Sequence, residues 1–134
     1  EQMADFANTL RHCDVSINFA STLSLDVACF DKPIINVAFG VRFMKNKKDA
    51  DEDMTWLMYE TNYYRAVLAT KATTVVKNMD DLLEAIRMYL ENPSLKKIER
   101  NLLVDRMCYK VDGKSGERLY ELVDCILRGE LKTS

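Results

Sequence analysis

The residues from Ile34 to Phe39 form a nearly continuous apolar run in which Asn36 is the one strongly polar side chain. Such a run predicts a strand that helices cover on both faces, as is usual in a parallel sheet. It is far too short for a membrane-spanning helix, which needs roughly 20 apolar residues. Pro33 disfavours helical geometry at the residue before it, so we expect a helix to end just before this strand begins.

The segments on either side of this run predict further α/β structure. Val15–Phe19 is a short β-prone segment, and Ser21–Phe30 carries apolar side chains largely on one side of a helix. A preceding helix is predicted for about Asp5–His12 and a third strand for Thr73–Val76. Strand, tight loop, helix and strand make a βαβ unit. We therefore expect an α/β fold with a Rossmann-like parallel sheet of about three strands and a helical C-terminal half.

Three helices are predicted for the second half of the chain. The first is capped by Asn78, the second is capped by Ser94 and runs to about Met107, and the third begins at Lys114 or Ser115. Their apolar stripes are Leu82, Leu83, Ile86, Tyr89 and Leu90 in the first; Leu95, Ile98 and Leu102, expected inward, in the second; and Leu119, Leu122, Val123, Ile126 and Leu127 in the third.

Composition excludes several classes of protein. The 134 residues fit a single domain spanning 1–134, and the net charge of −2 gives no electrostatic basis for nucleic-acid binding. No signal peptide and no transmembrane segment is recognised, so a cytoplasmic location is expected. The four cysteines have no metal-type spacing and His12 is the only histidine, so no metal site is predicted. The charged stretch Gly40–Asp53 is expected to form a surface loop.

The residues most informative about chemistry follow the first predicted strand. Ser21 and Thr22 open a helix, where unpaired amides and the helix dipole favour an anion and the hydroxyls can donate to phosphate oxygens. The alternative is that Ser21 is an ordinary N-cap. Asp26 lies one turn beyond Thr22 and can accept hydrogen bonds from sugar hydroxyls. Its alternative is an exposed helix carboxylate without a ligand.

This segment also carries a family resemblance. Residues Leu10 to Phe39 resemble the donor-binding segment of GT-B type glycosyltransferases, and the Ser-Ser-x-x-x-Asp arrangement of CDP-glycerol glycerophosphotransferases is similar. Asp14–Ile17 corresponds to the strand, Ser21-Thr22 to the hydroxyl pair, Asp26 to the acid and Lys32–Ile35 to the exit. In addition, Asp112–Arg118 resembles the start of the terminal helix in bacterial surface-polysaccharide transferases.

The resemblance implies a nucleotide-sugar donor as substrate, with no further cofactor, in a transferase of polysaccharide biosynthesis that glycosylates a saccharide or cell-surface acceptor. Ser21 and Thr22 would face the donor diphosphate, and Asp26 a ribose or sugar hydroxyl. Tyr63-Tyr64-Arg65 occupies the place of a histidine-tyrosine pair in relatives, and Tyr64 and Arg65 complete the implied donor site. No residue is assigned as catalytic.

The resemblance also implies a missing partner. Complete GT-B enzymes have two Rossmann-like domains, so the chain is expected to be the C-terminal part of a donor-binding domain that lacks the N-terminal acceptor domain and is inactive alone. Two alternatives stay open: an enzyme similar to the non-hydrolysing nucleotide-sugar epimerases, or a non-catalytic interaction domain. In the latter, the exposed sheet edge would bind another chain or a second copy of this one.

Overall fold

A computed structural model describes residues 2–40 and 55–130 of the chain. The predicted α/β class is confirmed: three parallel strands, in the order β1-β2-β3, are surrounded by helices. The elements are α1 (Gln2–His12), β1 (Ser16–Asn18), α2 (Leu23–Cys29), β2 (Ile34–Val37), α3 (Thr55–Tyr59), α4 (Asn62–Ala69), β3 (Thr73–Val76), α5 (Met79–Glu91), α6 (Lys97–Met107) and α7 (Ser115–Leu127).

The central strand β2 separates two apolar layers. Ile34 packs on one face of the sheet with side chains from α1, α2, α4 and α6, and Ile35 packs on the other face against α5. Both isoleucines are fully buried, because successive side chains of a strand point to opposite faces. The apolar run that begins at Ile34 was predicted to form a strand covered by helices on both faces, and β2 has this position in the sheet.

The predicted boundaries agree closely in the sheet and less well in the loops. β3 has the predicted bounds, whereas α2 begins at Leu23, two residues after Ser21. The aromatic segment around Tyr59, Tyr63 and Tyr64, for which the sequence pattern predicts no element, forms α3 and α4. The Thr61 side chain caps α4 by accepting a hydrogen bond from the Tyr64 amide at 3.2 Å. The predicted loop Gly40–Asp53 lies outside the described residues except for Gly40.

The buried face of α5 differs from its predicted stripe. Asn78 caps the helix as predicted, accepting from the Asp81 amide at 2.9 Å, but Ala85 and Tyr89 are its buried side chains. Leu83 and Leu90 are about half exposed, which corrects the prediction that both belong to the packed stripe. The Tyr89 hydroxyl lies 2.7 Å from the Thr74 hydroxyl on β3, and Leu82 and Ile86 of the predicted stripe pack against the same cluster.

The inward face of α6 was also predicted wrongly. Arg100 and Leu103 are buried, whereas Ile98 is 81% exposed and Leu102 is 37% exposed. The Arg100 guanidinium donates to an Asp31 carboxylate oxygen at 2.9 Å and to two backbone carbonyls of the preceding loop. This ion pair between residues far apart in the sequence orients Arg100 toward the end of α2, so Ile98 and Leu102 lie on the exposed side of α6.

The start of α6 is likewise different from the prediction. Ser94 does not cap the helix, because its hydroxyl donates instead to the Asn92 side chain at 2.7 Å. Lys96 holds the N-cap position in the left-handed region, with φ of 59°, and its ammonium group donates to the Thr73 carbonyl at 2.9 Å. Burial lowers the pKa of Lys96 from its usual value.

The last helix, α7, forms as predicted but buries none of its residues. Its five stripe residues are between 44% and 80% exposed: Leu119, Leu122, Val123, Ile126 and Leu127. The helix begins after Gly113, which has φ of 72°, and Arg118 binds both carboxylate oxygens of Asp112 at 2.9 Å. The Asp112–Arg118 motif thus fixes the entry of the chain into α7.

Candidate functional site

The candidate site lies where β1 ends and the chain enters α2, at the carboxyl edge of the parallel sheet. Thr22 has the N-cap position, with φ of −61° and ψ of −20°, and its side chain makes no capping hydrogen bond. The amides of Ser24 and Leu25 instead turn back to the carbonyls of Ser21 and Thr22, at 3.2 Å and 2.9 Å. Among residues 2–40 and 55–130, neither hydroxyl caps α2, so the ordinary N-cap alternative for Ser21 is not realised.

A tyrosine from α3 closes one side of this turn. The Tyr59 hydroxyl donates to the Val37 carbonyl at 2.7 Å. Burial, with a smaller contribution from Tyr64, raises the pKa of Tyr59 above its usual value, although the nearby Ala20 backbone favours the ionised form. Tyr59 therefore lies beside the loop in which sequence reasoning placed a phosphate.

Asp26 is exposed, as is Thr22 one turn before it. The two side chains share a helix face, which is the expected result of their spacing. No ion pair of Asp26 is found within the described part of the chain. Burial raises the pKa of Tyr63, and the charges of Cys108 and Asp26 raise it further. The face of α2 that carries Asp26 therefore lies near the beginning of α4.

The other two predicted donor residues have different surroundings. Tyr64 is 1% exposed, and its hydroxyl donates to Asn36 Oδ1 at 2.7 Å and lies 3.0 Å from Ser24 Oγ. Arg65 is exposed and forms an ion pair with Glu60. The structure thus brings Ser21, Thr22 and Asp26 together, but it engages Tyr64 and Arg65 elsewhere.

Below the turn lies a buried polar network that sequence reasoning missed. Asn18 and Asn36 are paired in the β1–β2 register, and Asn36 Nδ2 donates to Asn18 Oδ1 at 2.9 Å. Ser24 Oγ lies within 3.3 Å of both asparagine side chains and bonds the Tyr64 hydroxyl as well. The network ties the two strand ends to α2 and α4. The polar residue inside the apolar run Ile34–Phe39 was the available signal.

The network also defines the protonation of its tyrosine. Burial raises the pKa of Tyr64 to about 12, although the hydrogen bond with Ser24 favours the ionised form. The phenol is therefore protonated at neutral pH and donates to the Asn36 oxygen. It cannot serve as a general base there.

A second concavity opens at the same edge of the sheet, beyond β2 and β3. It has a volume of about 230 Å³ and is lined by Ala38, Tyr59, Glu60, Leu68, Val75 and Lys77. Ligand pockets for drug-sized molecules usually measure roughly 300–1,000 Å³, so this one is small for a nucleotide-sugar. None of the five predicted donor residues lines it.

The described residues contain no group of three or more histidine, cysteine, aspartate or glutamate side chains arranged to hold a metal ion. Within the same ranges, no helix combines the length and apolar character needed to cross a membrane. Comparison of the chain with models of known families, with curated proteins and with solved structures found no match.

Proposed function

We propose that the chain is the nucleotide-sugar donor-binding part of a glycosyltransferase that modifies a saccharide or cell-surface acceptor. The observation that carries the proposal is the juxtaposition, at the carboxyl edge of the sheet, of two hydroxyls that do not cap α2 and a carboxylate that forms no ion pair with the residues that the structure describes. Ligands of open α/β sheets bind at this edge. The residues involved are those that resemble the family motif.

The proposed roles follow from the chemistry of the three side chains. The hydroxyls of Ser21 and Thr22 donate hydrogen bonds to oxygens of the donor diphosphate, and they stabilise its charge as the bond to the sugar breaks. Asp26 accepts hydrogen bonds from a ribose or sugar hydroxyl. We leave Tyr64 and Arg65 out of this set, because the first is buried in the polar network and the second is paired with Glu60.

The proposal requires a partner domain for turnover. We assign no general base on this edge of the sheet, and the raised pKa values of Tyr59 and Tyr64 make these two phenols unsuited to the role. In the proposed enzyme, an N-terminal acceptor domain supplies acceptor positioning and the base. The chain alone is therefore expected to bind a donor nucleotide without transferring the sugar.

Titration of the purified chain with UDP, CDP and GDP tests the proposal. We expect one nucleotide to bind at up to millimolar concentration, measured by calorimetry and by a rise in thermal midpoint. The Ser21→Ala and Asp26→Asn variants should each weaken binding at least fivefold. The matched controls Ser94→Ala and Asp80→Asn, which change exposed residues on other elements, should not.

Two results would contradict the proposal: no binding of any of the three nucleotides at millimolar concentration, or binding that the site variants and the controls affect equally. An epimerase shares the binding step but also acts on the sugar. Incubation with the sugar form of the bound nucleotide therefore separates the two, because only an epimerase interconverts the sugar epimers.

A further inference from the structure

Two cysteines from distant parts of the sequence meet between α2 and α6. Cys29 is the last residue of α2 and Cys108 is the C-cap of α6, 79 residues later, and their sulfur atoms lie 3.8 Å apart. The Cys29 thiol donates a weak hydrogen bond to the Cys108 sulfur. Both thiols are free and only partly buried, so small reagents can reach them from solvent.

The separation of the two sulfur atoms suits a covalent bond between them. A disulfide has an S–S length of about 2.05 Å, so the two sulfur atoms must approach by ~1.8 Å for the bond to form. Cys108 follows the last helical residue of α6, and Tyr109 after it has φ of 58°. The backbone at this position has left the regular helix and can adjust to the closed geometry.

The pair is poorly suited to nucleophilic catalysis. Both cysteines lie at the C-terminal ends of helices, where the helix dipole disfavours a negative charge. Burial of Cys29, its hydrogen bond to Cys108 and the charges of Cys108 and Asp26 raise the pKa of its thiol to about 11. Cys29 therefore keeps its proton at neutral pH, and Cys108 is the sulfur that reacts first with an oxidant.

We infer that Cys29 and Cys108 form an oxidisable dithiol site whose closure joins the end of α2 to the end of α6. With a peroxide as oxidant, the Cys108 sulfur attacks one peroxide oxygen, the O–O bond breaks, and Cys108 becomes a sulfenic acid as water leaves. The Cys29 sulfur then attacks the sulfenic sulfur, the S–O bond breaks, and a second water leaves. Two thiols lose two electrons and two hydrogens, and hydrogen peroxide is reduced to two waters.

This inference does not depend on donor binding. The carboxylate of Asp26 influences the Cys29 thiol, so the pair lies beside the face of α2 that the proposed function uses. The dithiol is nevertheless defined by its own geometry, and it would remain if no nucleotide bound. Its test therefore uses thiol chemistry alone.

The full chain is treated with hydrogen peroxide, alkylated under denaturing conditions and weighed by mass spectrometry. Reduced protein takes up four alkyl groups, and we expect oxidised protein to take up two, with a linked Cys29–Cys108 peptide that dithiothreitol separates. Neither single variant should form an intrachain disulfide: Cys108→Ser should take up three groups after oxidation, whereas Cys29→Ser should take up two and keep a sulfenic acid on Cys108. A Cys13→Ser/Cys125→Ser control should take up two groups before oxidation and none after it.

A second measurement uses the unaltered protein. Phenylarsine oxide bridges two neighbouring thiols, so one equivalent should bind per chain and protect Cys29 and Cys108 from alkylation. The inference is overturned if the linked peptide contains Cys13 or Cys125, if disulfides form only between chains, or if four groups are taken up after oxidation that converts a reference dithiol fully. Failure of the arsenical to protect the pair would overturn it as well.

Discussion

Removal of the Tyr64 hydroxyl tests the buried polar network directly. The Tyr64→Phe substitution keeps the ring, and with it the edge-to-face contact with Tyr59 at a centroid distance of 5.5 Å. It deletes the donor that binds Asn36 Oδ1 at 2.7 Å, whereas Ser24 Oγ still has the Asn18 oxygen at 3.2 Å. One buried acceptor is left without its donor, which costs about 2 kcal/mol.

This loss is measurable by thermal and urea unfolding followed by circular dichroism. For a chain of this length, about 2 kcal/mol corresponds to a fall in thermal midpoint of roughly 5–10 °C. The matched control is Tyr63→Phe, since Tyr63 precedes Tyr64, is 37% exposed and should change stability by less than ~0.5 kcal/mol. If the two variants have equal stability, the network contributes nothing and the reasoning is wrong. Donor binding, if present, should be unchanged at 25 °C in both variants.

Four further substitutions test other parts of the fold. Burial raises the pKa of Asp31, but hydrogen bonds from its two basic partners lower it overall, so its stabilisation is complete above about pH 4 and is lost as the pH falls through the folded pKa. Urea titrations should therefore find Asp31→Asn less stable than the wild type by about 1–2 kcal/mol at pH 7, and the difference should shrink in acid. On α7, Leu122→Glu should change the free energy of unfolding by less than ~0.5 kcal/mol from the wild-type value, whereas Leu103→Ala in the core should lower it by about 2–5 kcal/mol. Equal effects of the two substitutions would show that α7 is packed in solution. Loss of the α5 cap in Asn78→Ala should cost about 1 kcal/mol in the same urea assay, and no change would contradict a stabilising role for the hydrogen bond to the Asp81 amide.

The fold was predictable wherever a local pattern decides the structure. The apolar run from Ile34 and the β-branched segment Thr73–Val76 became strands, and the Asn78 side chain capped its helix. The orientation of α6 was not predictable in this way. Arg100 is buried because Asp31, 69 residues earlier, accepts its hydrogen bond, and no periodic pattern contains that information.

The candidate site was predictable to a similar depth. Spacing alone put Thr22 and Asp26 on one exposed face of α2. It could not indicate that Tyr64 turns inward, because the partners of its hydroxyl, Ser24 and Asn36, come from two other elements. It also gave no sign that the Tyr59 hydroxyl would donate to the Val37 carbonyl, since that contact depends on where α3 lies relative to β2.

The parallel sheet has a consequence for the kinetics of folding. Ser16 pairs with Ile34, 18 residues later, and Ile34 pairs with Thr73 after a further 39 residues, so no strand pairs with its neighbour through a short hairpin. Closing such long loops costs chain entropy before any strand contact repays it. Proteins dominated by distant pairings fold slowly. Helix α5 has the local Asn78 cap, and α7 has ion pairs between residues close in sequence. Both are therefore expected to gain structure in refolding experiments before amide protons of β2 become protected from exchange.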